Sequence, residues 1–374
     1  MRRYLMILLC AALLLAPIHG MAESKSAKAY LITPAGSTAA LWEERSDERF
    51  SVAGLCKLPA ILTLCRAFDA GLIDPDAEMD VSKKASKVSG PSAYLEAGER
   101  IAAGELIKAA VMISAGDAIV ALGENAFGSE EMFLQNIGVI LAEAKVDVSL
   151  ASCLGTGTAF SCAELLRLAA LALDSKTFRT YCGVYMDSIS HAKGTTTELV
   201  TANRMIRSYA GCFGLLTGSS REDGYCGIFA AERNGMTYLC AVLGSPTGDA
   251  RFAEATHLFD DAFANYRLDT PATKGTPLLS DYPVLYGDRK TVHLLPDETV
   301  VLLRNKADGA LQTSFDLPES LLAPLHPEEP VGTATFTDEA GNTLAVVSLY
   351  PAEAVVSNGF PDVLRWLLTQ YLLH

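Results

Sequence analysis

Ser89-Gly90-Pro91-Ser92-Ala93-Tyr94-Leu95, with Gly98-Glu99 close behind, links two helical stretches, and the fold is read outward from it. Upstream, Leu58 to Ala70 carries a fully apolar stripe at helical spacing and should end near Gly71. Just before that helix stands Gly54-Leu55-Cys56-Lys57. Downstream, Ala103 to Ala126 reads as helix, broken in its middle by Ser114-Ala115-Gly116-Asp117. Glu130 to Ala144 and Ala163 to Leu173 are two further helices. Residues 29–33 and 38–42, parted by Pro34-Ala35-Gly36, read as a hairpin. Tyr225 to Ala231 and Tyr238 to Leu243 are β-rich and flank Arg233-Asn234-Gly235, a hairpin turn signal. Phe252 to Tyr266 is an amphipathic helix. Strands at both ends with helices between them predict an α+β domain.

Past Leu268 the texture changes at Pro271, Gly275 and Pro277. Short β runs such as 300–303, 333–336 and 344–347, separated by Gly, Pro and Asp, predict a small all-β domain of roughly 80 residues. The expected organisation is 1–22 leader, 23–268 α+β domain, 269–356 β domain and 357–374 amphipathic tail helix. That tail carries Val363, Leu364, Trp366, Leu367, Leu368, Tyr371 and Leu372. It is too short to span a bilayer, which leaves an anchor lying on a membrane surface or a packed terminal helix.

The N-terminus has the layout of a secretory signal. Arg2 and Arg3 precede the apolar run from Leu5 to Pro17, and Gly20-Met21-Ala22 offers the small residues a signal peptidase reads. An N-terminal core helix is the other reading. Export is expected, to the extracytoplasmic face of the membrane or beyond. Half of the chain is apolar and a fifth charged, which fits a folded protein. The formal charge of −14 becomes −16 once Arg2 and Arg3 leave, and so acidic a chain repels nucleic acid. Of nine cysteines, all but Cys10 remain after the leader, an even number that permits disulfides without assigning them. No Cys-x-x-Cys or His-rich cluster suggests a metal.

Several stretches together resemble the serine D-alanyl-D-alanine carboxypeptidases, the low-molecular-mass penicillin-binding proteins. Residues 89–95 with Gly98-Glu99 resemble the family's Gly-Ser-Ser-Ala-Tyr-Leu…Pro-Gly-Glu segment. Glu105-Leu106-Ile107-Lys108 leading to Ser114 and Asp117-Ala118, then Gly128-Ser129-Glu130-Glu131, is similar to the helices around its second motif. Gly224-Tyr225-Cys226 and Ala241-Val242-Leu243-Gly244 match its central strands. The resemblance covers nearly all of the chain past the leader. It implies a β-lactamase/transpeptidase-like domain, an antiparallel sheet flanked by helices plus a helical subdomain, with the β domain and tail as the C-terminal appendage.

Family chemistry would need Ser-x-x-Lys at a helix start, placing a hydroxyl and a neutral amine one turn apart. It would also need Ser-x-Asn for proton shuttling and Lys-Thr-Gly to bind a terminal carboxylate. Backbone N–H groups form the oxyanion hole, and no cofactor takes part. The first motif falls on Gly54-Leu55-Cys56-Lys57, where the lysine stands but the nucleophile position is glycine. The second falls on Ser114-Ala115-Gly116, with Gly116 in place of asparagine, and the third on Leu216-Thr217-Gly218, with leucine in place of lysine. The family's Asn-Pro-His-Gly-Leu loop has no counterpart around 152–158. Glycine has no atom that attacks a carbonyl, and removing the nucleophile costs about a million-fold in turnover in a comparable serine enzyme.

The expected reading is therefore an inactive family member. Lys57 and Ser114 would remain as catalytic remnants, and Gly116, Thr217, Gly218 and Arg251 as remnants of a site for peptidoglycan stem peptides. Arg251 is read either as a second carboxylate contact or as a solvated surface arginine. One alternative is a slow hydrolase with a relocated Ser114–Lys57 pair. Another is a cell-envelope scaffold that holds a protein partner. Cys56 would point about 100° from the lysine face and reads as a buried helix cysteine. Ser190-His191-Ala192-Lys193 also spells Ser-x-x-Lys, but about one such match is expected by chance and it follows the second motif.

Overall fold

The computed structural model describes residues 27–37 and 39–359. The expected leader and the expected tail helix lie outside them. The chain divides into two compact units between Ala262 and Phe263.

The first unit is built on an antiparallel sheet. Its strands are β1 (Ala29–Pro34), β2 (Trp42–Glu44), β3 (Cys212–Gly214), β4 (Thr217–Ser220), β5 (Gly224–Arg233) and β6 (Met236–Ser245). The order is β4-β5-β6-β1-β2, with β3 also paired to β5. β5 and β6 are buried along most of their length, so both faces are covered, and their apolar runs are nearly continuous rather than alternating. Asn234 and Gly235 close the β5–β6 hairpin with φ of 52° and 76°, the left-handed geometry that a two-residue turn of this kind requires. The first hairpin differs from expectation. Trp42 pairs with Ile32 and Glu44 with Tyr30, so the second strand starts at Trp42, and residues 39–41 lie in the connection.

The helices are α1 (Leu58–Asp69), α2 (Ala103–Ile113), α3 (Gly116–Phe127), α4 (Glu130–Glu143), α5 (Cys162–Asp174) and α6 (Gly248–Asn265). α1 is buried along most of its length, with Leu58, Ile61, Leu62, Leu64 and Cys65 fully enclosed. It ends before Gly71, whose φ is +70°. α5 starts on a capping box in which Ser161 and Glu164 each satisfy the other's backbone N–H. The break at 114–117 is real. Ser114 has φ +54°, which no helix continues, and α3 begins anew at Gly116.

The second unit has its own core, including Val292, Leu294, Phe336, Val347 and Leu349. Its six-stranded sheet runs in the order Gln312–Asp316, Gly332–Thr337, Thr343–Pro351, Thr291–Pro296, Leu279–Leu285, Leu321–Leu322. The all-β expectation holds. Among the described residues, no helix is long and apolar enough to cross a membrane, and no group of His, Cys, Asp or Glu could hold a metal ion.

Candidate active site

All seven residues singled out from the sequence meet in one neighbourhood. A short 3-10 turn, Ala53–Lys57, feeds α1 and carries both Gly54 and Lys57. Lys57 is 6% exposed, and its Nζ donates a 2.8 Å hydrogen bond to the backbone carbonyl of Ser114. Burial holds this lysine below its ordinary value, against the attraction of Asp117. Ser114 is 4% exposed. Its contact with Lys57 runs through its carbonyl, because the left-handed φ at Ser114 turns that oxygen toward the amine.

The space in which an asparagine would sit at position 116 is filled. A Cβ on Gly116 would lie 2.6 Å from Val88 Cγ1, 3.3 Å from Lys57 Nζ and 3.6 Å from Leu154 Cδ1. Leu154 belongs to the loop that lacks the family pattern. That loop packs against the nucleophile turn: Leu154 O accepts from Cys56 Sγ at 3.3 Å, and a Cβ on Gly155 would stand 2.6 Å from Cys56 O. Sequence reasoning missed Val88 and Leu154, since neither belongs to a motif and both arrive through long-range packing. Cys56 also donates to Ala53 O, and burial pushes its thiol up to about 11, so it is no thiolate nucleophile.

The other wall is β4. Thr217 and Gly218 pair with Gly227 and Cys226 of β5. Gly218 lies against Gly54 so closely that a Cβ on it would be 2.6 Å from Gly54 N. In the reverse direction there is room: a Cβ on Gly54 would meet nothing nearer than Gly218 Cα at 3.8 Å. Leu216, where the resemblance expects lysine, is 2% exposed and joins the main core.

Arg251, on α6, is not the solvated surface arginine of one reading. It is 5% exposed, and its Nη1 donates to Gly218 O at 3.2 Å and Cys226 O at 2.9 Å. The guanidinium lies 4.4 Å from the Phe252 ring centroid, and its Nε has no hydrogen-bond partner. Burial lowers its pKa to about 10.

Asp117 holds the frame around the site. It is 2% exposed and accepts from Ser92 Oγ at 2.6 Å, Ala93 N at 2.9 Å and Leu95 N at 3.1 Å. Gly116 N donates to Pro91 O at 2.9 Å. The segment from which the fold was read is thus tied to the start of α3. Ser190 and Lys193 do not form a Ser-Lys pair: the Ser190 amide donates to Glu105, and Lys193 pairs with Glu96.

The described cysteines, Cys56, Cys65, Cys153, Cys162, Cys182, Cys212, Cys226 and Cys240, are all buried free thiols.

A fold of this order, with these motif positions converging on one turn, one helix break and one strand, matches a known family. The D-alanyl-D-alanine carboxypeptidase family model covers residues 18–247. The chain belongs to that family. Residues 266–357 match the C-terminal domain of penicillin-binding protein 5. The D-alanyl-D-alanine carboxypeptidase DacF of Bacillus subtilis is 26% identical over 331 residues, covering 87% of this chain and 85% of its own. DacC of Escherichia coli is 26% identical over 358 residues, covering 91% of this chain and 86% of its own. Among solved structures, penicillin-binding protein 5 of Haemophilus influenzae superposes with a TM-score of 0.73 at 19% identity, covering 89% of this chain and 98% of its own. The carboxypeptidase family thus accounts for the scaffold of both units.

Proposed function

We propose that this chain is an inactive D-alanyl-D-alanine carboxypeptidase that keeps the family scaffold outside the cytoplasm, with a weakened affinity for peptidoglycan stem peptides ending in D-alanine. The observation that carries this reading is Gly54: the turn feeding α1 presents no attacking atom. Three neighbours support it. Lys57 is committed to a carbonyl, Val88 and Leu154 fill the place of the asparagine, and Leu216 is withdrawn into the core. Arg251 and β4 keep the parts of a carboxylate site, now turned toward each other. The layout of residues 1–22 supports export, and the apolar tail from Phe360 supports a place at the membrane surface.

The relocated Ser114–Lys57 pair draws little support from the geometry. A general base must accept the proton of the nucleophile's hydroxyl, and here Lys57 Nζ donates to the carbonyl of the same residue.

The test is intact-protein mass after incubation with a penicillin, run beside the Gly54→Ser variant. The expected result is no adduct on the unmodified protein. A penicilloyl adduct on it, mapped to Ser114 or another residue of this site, would overturn the inactive reading. An adduct on Gly54→Ser alone would locate the deficit in the missing hydroxyl. No adduct on either would place it in the filled site around Gly116.

A further inference from the structure

Away from the degenerate motifs, Met186–Ser190 and Thr196–Val200 form a hairpin that reaches the loop after Leu95. Three side chains meet there in a line. His191 Nδ1 lies 2.8 Å from Glu99 Oε1, and His191 Nε2 lies 2.8 Å from Thr197 Oγ1. The side chains of His191 and Glu99 are 9% and 7% exposed. All three line one cavity of ≈ 630 Å³, together with Tyr94, Glu96 and Lys193.

Glu99 also accepts from the backbone N–H groups of Glu96 at 3.0 Å and Ala192 at 3.2 Å. These amides and His191 outweigh the effect of burial and hold the carboxyl below its ordinary value, so it is ionised and accepts. The tautomer with its proton on Nδ1, facing that carboxylate, is the one that gives the line its chemistry, since it leaves Nε2 to accept from the Thr197 hydroxyl. Nucleophile, base and orienting carboxylate thus stand within hydrogen-bond reach in sequence, the geometry of an activated hydroxyl.

We infer that Glu99, His191 and Thr197 form a second acyl-transfer site, separate from Gly54, Lys57 and Ser114, that takes carboxylic esters. Thr197 Oγ adds to the ester carbonyl as its proton passes to His191 Nε2. The alkoxide leaves with that proton, and Thr197 is left acylated. Water then adds to the acyl carbon, giving its proton to His191, and the acid departs as Thr197 Oγ takes the proton back. No outside oxidant or reductant is needed. Esters are the class because an alkoxide leaves more readily than an amide nitrogen. The two cations that line the cavity, Lys193 and Arg100, are already paired, with Glu96 and Asp80. A site with so modest an oxyanion contact suits activated esters and a slow second step.

The probe is p-nitrophenyl acetate with the full chain, read as p-nitrophenol release and as peptide mapping of the acetylated residue. Acetylation at position 197 is expected, absent in Thr197→Val, retained in Thr197→Ser, and about 100-fold slower or more in His191→Gln. Circular dichroism melts check that each variant is folded. The Ser variant keeps the hydroxyl and the hairpin together, so its loss of label would contradict the inference. No label at 197 in the unmodified protein, or equal labelling rates in His191→Gln, would overturn it and leave the line as a clamp between hairpin and loop. Position 197 lies on a different element from 54 and 114, so this result is read separately from the penicillin experiment.

Discussion

Asp117 and Lys57 are buried charges at the same site, and they have opposite surroundings. Asp117 meets four donors, Ser92 Oγ and the backbone N–H groups of Ala93, Leu95 and Ala118, and three of the four fix Ser92 to Leu95. Lys57 meets one carbonyl, and the groups that would use its amine are a glycine at 54 and a glycine at 116. A charge that satisfies the backbone is part of the fold, because removing it strands buried donors. A buried amine with a single carbonyl partner is a burden on the fold, since its desolvation is only partly offset.

The comparison breaks most sharply at Asp117. Asp117→Ala should destabilise the protein by about 3 kcal/mol or more, because Ser92 Oγ and the amides of Ala93 and Leu95 lose their acceptor together. Urea denaturation measures this, and a loss under about 1 kcal/mol would mean that the loop is not held as described.

Next in size is the attempt to restore the family's asparagine. Gly116→Asn should cost about 1–3 kcal/mol, since its Cβ must displace Val88 Cγ1 from 2.6 Å. Val88→Ala should recover much of that loss, and a double-mutant cycle reads the coupling. Additive effects would show that Val88 is not the obstruction.

Lys57 gives a smaller, pH-dependent effect. Its folded-state value lies below the ordinary 10.5 of an unfolded chain. Between those two values the unfolded state binds more protons, so stability rises with pH across that window. Lys57→Met should flatten the rise and leave neutral-pH stability within about 1.5 kcal/mol, because the lost bond to Ser114 O offsets the relief of desolvation. Stability curves at several alkaline pH values decide it.

The smallest effect is expected at Gly54. Gly54→Ser places its new Cβ no closer than 3.8 Å to any neighbour and should shift stability by less than about 0.5 kcal/mol. A larger loss would mean that the turn has closed against β4 more tightly than the open side of Gly54 implies.

The fold was legible wherever the signal is local. The apolar stripe of α1, the break at Ser114, the Asn234-Gly235 turn and the short β runs of the second unit each write their structure in a few consecutive residues. The start of β2 was misread because residues 38–42 are apolar enough for a strand, and the pairing of Trp42 with Ile32 is a long-range choice. In the site, the order of motifs in the chain marked positions 54, 116 and 216, and the structure brings 54 against β4 and 116 against Lys57. That Arg251 is buried against two carbonyls was not legible, since a lone arginine near a helix start looks the same in sequence whether it is wet or dry.

What the sequence alone determined is the family scaffold and the glycine at position 54, because local periodicity and the identity of one residue are enough for each. What only the tertiary structure decided is what surrounds positions 54 and 116. Val88 and Leu154 come from segments distant in sequence, and their approach to Gly116 is set by packing that no spacing records. The same holds for Glu99, His191 and Thr197, where a loop and a hairpin place a carboxylate, an imidazole and a hydroxyl in line. Chemistry depends on distances of about 3 Å between such segments, and those distances exist only once the chain has folded.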